Sequence, residues 1–222
     1  MTKYLIINAD DFGASPGVNR GIVECHTRGV VTSTSLMVDG PAAAEAVQLA
    51  AAHQGLSLGL HCDLNGFDSL GDTAAVRAEV ERQFELFATL VGGPPTHVDS
   101  HHHVHREPAV GPAFDDLVAR LGGPLRGCGH VALIGGFYAQ WEQGVTELRY
   151  VSVEFLQQLL REEVREGWTE LSCHPGYVDP GLQSSYLHER ETEIMTLTDG
   201  RIRQTLGELG IELASYRDVP AG

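Results

Sequence analysis

The sequence predicts an α/β fold in which parallel strands are flanked by helices. Three observations predict it. Short apolar runs alternate with helix-like stretches along the whole chain. Acids or imidazoles stand just after four of those runs, at Asp10-Asp11, His61, His101 and His174. No internal repeat or low-complexity linker divides the 222 residues, which read as a single domain, 1–222. Strands that alternate with helices pair in parallel. Sites in such sheets gather at the carboxyl ends of the strands, where these acids and imidazoles fall.

The elements follow in order. Tyr4 to Ala9 is a short buried strand, and Asp10-Asp11-Phe12-Gly13 breaks it. Ser15-Pro16-Gly17 opens a helix, with Ser15 as N-cap and Pro16 at the first helical position. Its spacing of Val18, Ile22 and Val23 runs out at Gly29. Val31 to Val38 is β-branched and forms the second strand. Pro41 to His53 is an alanine-rich helix, and Leu56 to His61 the third strand. Residues 63–73 form a polar loop. Thr73 to Leu90 is a long amphipathic helix with Val76, Val80, Phe84 and Phe87 on one face, stopped by Gly92-Gly93-Pro94-Pro95. A histidine-rich strand follows, then a helix over Ala109 to Leu121 and a short strand at Leu125-Arg126. Val131 to Trp141 carries a loop or bulge at Gly135-Gly136. Ser152 caps a helix reaching Glu166, and Thr169 to Cys173 is a strand closed by His174-Pro175-Gly176. After a polar loop from Tyr177 to Ser185, Leu187 to Thr196 and Asp199 to Leu209 are helical, and Glu212 to Tyr216 is the last strand.

Composition narrows the function. A net charge of -15 argues against nucleic acid and membrane surfaces, which select a basic face. No apolar run is long enough to cross a bilayer, and the N-terminus enters a strand without a signal-like segment. Four scattered cysteines without a C-x-x-C pair exclude a disulfide framework and point to a reducing cytoplasm. Cys62, Cys128 and Cys173 read as core residues. No P-loop, G-x-G-x-x-G or G-x-S-x-G motif is present.

The chemistry concentrates in Thr96-His97-Val98-Asp99-Ser100-His101-His102-His103-Val104-His105, which holds five of the 11 histidines. Read as a strand, it sends His97, Asp99, His101, His103 and His105 to one face. Imidazole is the commonest metal-ligating side chain, whereas such density serves no packing purpose. The plain alternative is an exposed histidine-rich loop. Asp10-Asp11 taken alone is equally well a solvated turn, and a lone His61 or His174 is more often structural. Together they change the balance, because two histidines and a carboxylate supply a divalent metal while leaving a position open for water. Gly59 leaves room for close approach beside His61, and Pro175-Gly176 would restrain His174.

Asn8-Ala9-Asp10-Asp11-Phe12-Gly13, Val31-Thr32-Ser33-Thr34, Gly59-Leu60-His61, the histidine stretch, Cys173-His174-Pro175-Gly176 and Ser215-Tyr216-Arg217-Asp218-Val219 resemble, in the same order, the YdjC family of carbohydrate deacetylases. The resemblance spans nearly the whole chain. It implies a (β/α) barrel-like fold distorted from a regular eight-stranded barrel. It also implies a divalent metal held by Asp11, His61 and His101, with Asp10 as base and His174 as acid. Zn2+ or Mg2+ is expected, with Mn2+ or Co2+ open, one ion per chain, in a cytoplasmic homodimer. Two segments, between His61 and the histidine strand and between His105 and Cys173, are shorter than in the chitooligosaccharide enzymes and read as loop-rich substrate walls.

The expected activity is hydrolysis of the N-acetyl group of a sugar or short oligosaccharide, releasing acetate and an amino sugar. Asp99 is placed to orient a ligand imidazole. His103 and His105 read as support or substrate contacts. One rival is a phosphoesterase on the same constellation, which would need cationic clamps that Arg106 and Arg190 alone could supply. The other is a sugar- or metal-binding protein without catalysis.

Overall fold

β1 (Lys3–Phe12) is the strand around which the others assemble, and its residues from Leu5 to Phe12 are all buried. A strand covered on both faces needs a near-continuous apolar run, which Leu5-Ile6-Ile7 supplies. The computed structural model describes residues 2–67, 70–121, 123–142 and 144–220. Residues 68 and 69 of the expected 63–73 loop lie outside it.

The chain runs through α1 (Pro16–Thr27), β2 (Ser33–Leu36), α2 (Ala43–Ala52), β3 (Ser57–Cys62), α3 (Thr73–Val91) and β4 (Val98–Ser100). It continues through α4 (Gly111–Leu121), β5 (Val131–Ile134), α5 (Val153–Glu162), β6 (Gly167–Cys173), α6 (His188–Leu197), α7 (Gly200–Leu209) and β7 (Ile211–Ala214). The strand order is β4-β3-β2-β1-β6-β5, with every pair parallel. β7 pairs with β1 over Lys3–Ile6, whereas β2 pairs with it from Asn8 to Phe12, so two strands share one edge. Leu125 adds a parallel bridge to Val98 beyond β4. The result is an open, barrel-like parallel sheet wrapped by helices, short of a regular eight-stranded ring.

Local chemistry sets the helix ends. Ser15 accepts the Val18 N–H and Pro16 opens α1, as the sequence predicts. Ser152 caps α5 by accepting the Phe155 N–H. α3 buries Val76, Val80 and Phe87, together with Gln83, whose amide is spent on the backbone of Asp63.

Four expectations are corrected. β1 does not end before Asp10: it runs to Phe12 through a bulge, with the register to β2 shifting between Ala9 and Phe12. The histidine stretch is not one strand. β4 stops at Ser100, and a turn follows in which His102 (φ 55°) and His103 (φ 54°) are left-handed, so the predicted one-face alternation fails after Asp99. Cys128 is exposed and is not a core residue, unlike Cys25, Cys62 and Cys173. The segment between His61 and the histidine stretch is dominated by α3 and is not loop-rich.

Candidate active site

Neighbouring residues on a regular strand point to opposite faces. Asp10 and Asp11 escape that rule through the bulge, where Asp11 takes φ 66°. A left-handed conformation in a non-glycine residue costs about 1–3 kcal/mol. Here it turns both carboxylates into one cleft at the carboxyl end of the sheet. The cleft encloses about 690 Å³, and His61, His101 and His174 also line it. The structure thus brings together all five residues singled out in the sequence.

Three of them converge most tightly. Asp11 Oδ1, His61 Nε2 and His101 Nδ1 form a triangle with edges of 3.3, 3.3 and 3.3 Å. Donors about 2.0–2.2 Å from a shared divalent ion stand roughly 3.0–3.5 Å apart, so the triangle fits one. Asp11 Oδ1 is buried and has no hydrogen-bond partner, while Arg190 Nη2 occupies Oδ2 at 2.6 Å. Asp99 Oδ1 lies 2.6 Å from His61 Nδ1. An ionised carboxylate only accepts, so Nδ1 carries a proton and Nε2 is the nitrogen turned to the triangle, where a bound cation would take the place of its proton. Burial works against charge on His61, yet Asp99, Asp11 and Asp10 outweigh it and hold the imidazole well above its ordinary range. The surroundings therefore call for positive charge at this point. Asp10, His61 and Asp99 form a second grouping, but Arg126 already neutralises its two acids.

Asp10 lies beneath the triangle. Its Oδ1 accepts from Asn8 Nδ2 at 2.9 Å, and both its oxygens accept from the buried guanidinium of Arg126. Burial would raise its carboxyl, but Arg126 prevails and lowers it. Arg126 also reaches Asp99 and Glu170, and Glu170 in turn accepts from the Tyr216 hydroxyl. Burial pushes the Glu170 carboxyl up to about 7.

His174 follows β6, with Nε2 3.7 Å from Asp10 Oδ2. The rings of Tyr138 and Tyr186 pack edge-on against it, each at 5.6 Å. Its backbone N–H donates to Glu193, and its Nδ1 is buried without a partner. Burial pulls its imidazole down to about 4, and no carboxylate bonds its far nitrogen to counter that.

The other histidines of the stretch part company. His97 lies flat on Tyr216, 3.8 Å away, and fills the space Gly59 leaves: a Cβ on Gly59 would meet the His97 ring at 2.3 Å. His105 is buried, bonded to Ser100 Oγ at 2.7 Å and to the Arg126 carbonyl at 3.1 Å, and so holds the segment that carries Arg126. His102 is exposed and packs against His101 with its ring tilted by 46°, and His103 lines the cleft. Sequence reasoning missed Arg126, Glu170 and Glu193. Each looks locally like an ordinary surface charge, and only its burial marks it.

A parallel barrel-like sheet with a metal-fitting cluster at its carboxyl end, flanked by a paired carboxylate and an imidazole, defines a class of hydrolytic α/β proteins. Comparison with known sequences narrows the class. The YdjC family model, described as YdjC-like protein, matches residues 4–208. The chain belongs to that family. It is 34% identical to a chitooligosaccharide deacetylase of Serratia marcescens, over 99% of this chain and 100% of that one. It is 35% identical to a carbohydrate deacetylase of Geobacillus stearothermophilus, covering 98% of each. Its fold matches the crystal structure of an Enterococcus faecalis V583 protein proposed to cleave cellobiose phosphate, with TM-score 0.82, 26% identity, and 97% and 98% of the two chains covered.

Proposed function

We propose that this chain is a divalent-metal-dependent carbohydrate deacetylase that hydrolyses the N-acetyl group of an amino sugar, releasing acetate. The observation that carries the reading is the 3.3 Å triangle of Asp11, His61 and His101 beside Asp10 and His174, in a chain whose relatives are deacetylases. The ion held by Asp11, His61 and His101 would supply Lewis acidity toward the acetyl carbonyl and a water molecule. Asp10 takes the proton of the attacking water, and the Arg126 fork keeps it ionised and fixed for that task. An amine leaves poorly unless protonated, and His174 supplies the proton. Because burial keeps His174 neutral near pH 7, its proton is best drawn from Asp10, whose Oδ2 is 3.7 Å from His174 Nε2.

The phosphoesterase alternative needs uncommitted cations. Arg190 is spent on Asp11 and on the carbonyls of His174 and Tyr186, and the buried Arg126 on three acids, which leaves Arg106 on the cleft lining as the clamp that reading would have to use. Two imidazoles with one carboxylate favour Zn2+ over Mg2+. One ion per chain, a single domain 1–222, a cytoplasmic location and a homodimer complete the proposal. All seven strands among the described residues share one sheet, which supports the single domain. Four cysteines without a disulfide suit a reducing compartment, and no helix among the described residues is long and apolar enough to cross a membrane. The dimer rests on two-fold pairing being the commonest assembly, and light scattering decides it.

The central test is metal content by elemental analysis beside acetate release from N-acetylated sugars. One ion per chain with turnover is expected, and His61→Ala or His101→Ala should abolish both. A fully metal-loaded His61→Ala protein would refute the ligand set.

A further inference from the structure

His102 and His103 take φ 55° and 54°, two successive non-glycine residues in the left-handed region. L side chains disfavour that region, and such strain persists where a site needs it. The turn that carries them is fastened at both ends without help from His103. Upstream, His101 belongs to the triangle. Downstream, Ser100 Oγ accepts the His105 N–H at 2.9 Å and bonds its Nδ1 at 2.7 Å, while His105 Nε2 bonds the Arg126 carbonyl at 3.1 Å.

His103 contributes no such bond. Its ring meets His105 edge-on at 6.0 Å and lines the cleft. Nδ1 is buried without a partner, so Nε2 is the nitrogen left to face the cleft. A buried donor without an acceptor is rarer than a buried lone pair without a donor. The proton therefore sits on Nε2, and the ring offers the cleft one N–H. The charges of Arg126, Asp10 and Asp99 all reach the ring, which places that N–H beside the base and not at the outer rim. Other neutral polar groups of the lining, Asn65, Gln183 and Ser185, suit a ligand rich in hydroxyls.

We propose that His103 Nε2 donates to a ring hydroxyl of the sugar unit that carries the acetyl group, and so fixes the face that unit presents to Asp10 and His174. His103 is then a specificity-determining contact, neither a metal ligand nor a proton carrier. The inference rests on the deacetylase reading for the nature of its ligand.

Two substitutions separate the donor from the backbone. Asparagine tolerates the left-handed region, but its amide reaches only as far as Nδ1. Glutamine extends one carbon further and restores an N–H near the place of Nε2. The probes are N-acetylglucosamine and its 3-, 4- and 6-deoxy analogues. In the wild type one analogue should lose about fivefold in kcat/KM, the worth of one neutral hydrogen bond. In His103→Asn the parent sugar should lose the same factor, chiefly through KM, and that analogue should lose nothing further. His103→Gln should restore most of the difference. Metal content and Tm should match the wild type in both variants. Affinities of the corresponding amino sugars, which are not turned over, should follow the same pattern in NMR titrations.

A wild type that treats all four sugars alike, by turnover and by binding, overturns the contact. So does a His103→Asn protein that still discriminates against the same analogue, or one that loses metal or kcat alone. Binding that depends on His103 without acetate release would sink the deacetylase reading and leave the contact standing. Acetate release with KM unchanged in His103→Asn would do the reverse.

Discussion

Arg126 closes both terminal nitrogens on the carboxylate of Asp10, Nη1 at 2.7 Å from Oδ2 and Nη2 at 2.6 Å from Oδ1, across 116 positions of chain. The same side chain reaches Asp99 and Glu170 at 2.8 Å each, and all four groups are buried. Removing one partner of a buried ionic network leaves the rest uncompensated, at a cost of about 3–5 kcal/mol. Arg126→Met should therefore lose about that much unfolding free energy in a urea titration. A loss below about 1 kcal/mol would mean that the acids find other partners.

Asp10 and Asp11 should separate on substitution, although they are neighbours in sequence. Asp11 offers an unpaired oxygen to the triangle, whereas both oxygens of Asp10 are taken by Arg126. Asp11→Asn should lose metal. Asp10→Asn should keep it while turnover falls by roughly a hundredfold. A metal-free Asp10→Asn protein would overturn the division of labour.

His174→Ala should retain metal and fold and lose most turnover on N-acetyl sugars. An aryl acetate ester, whose leaving group needs no proton, should suffer much less. Equal losses on both substrates would count against the acid role. Metal loss or unfolding would mark His174 as structural.

Glu193 accepts the His174 N–H and bonds the Tyr186 hydroxyl, and burial pushes its carboxyl up to about 8. A raised carboxyl binds its proton more tightly in the folded than in the unfolded chain. Its stabilisation is therefore full below the ordinary glutamate value of about 4.5 and is lost as pH rises toward about 8. Tm should fall across that window. Glu193→Gln, whose amide can still accept from His174 and donate to Tyr186, should flatten the fall. Glu170, at about 7, preserves part of the slope. A slope unchanged in Glu193→Gln would show that Glu193 is ionised throughout.

Much of this was legible in the chain itself. The alternation of apolar runs and helical spacing marked six of the described strands and their parallel pairing, because burial on both faces of a sheet demands such runs, whereas β5 was not legible and the strand expected at Leu125-Arg126 is a single bridge to Val98. Ser15 and Ser152 announced their helices, because a cap is a local hydrogen bond. Asp10, Asp11, His61, His101 and His174 stood out because strand ends in a parallel sheet share one mouth. The tertiary structure alone decided the rest. Identical imidazoles in one stretch became a core residue at His97, a member of the triangle at His101 and a brace at His105, according to what folded against each. The sequence placed Asp10 and Asp11 in a turn, whereas they lie on β1, where a regular strand would send them to opposite faces and only a bulge in the pairing with β2 sets them side by side. Arg126 carried no local signal, since its meaning lies in three acids brought from β1, β4 and β6. Local sequence encodes periodicity and caps, whereas charge compensation across a parallel sheet depends on which strands come to lie beside one another.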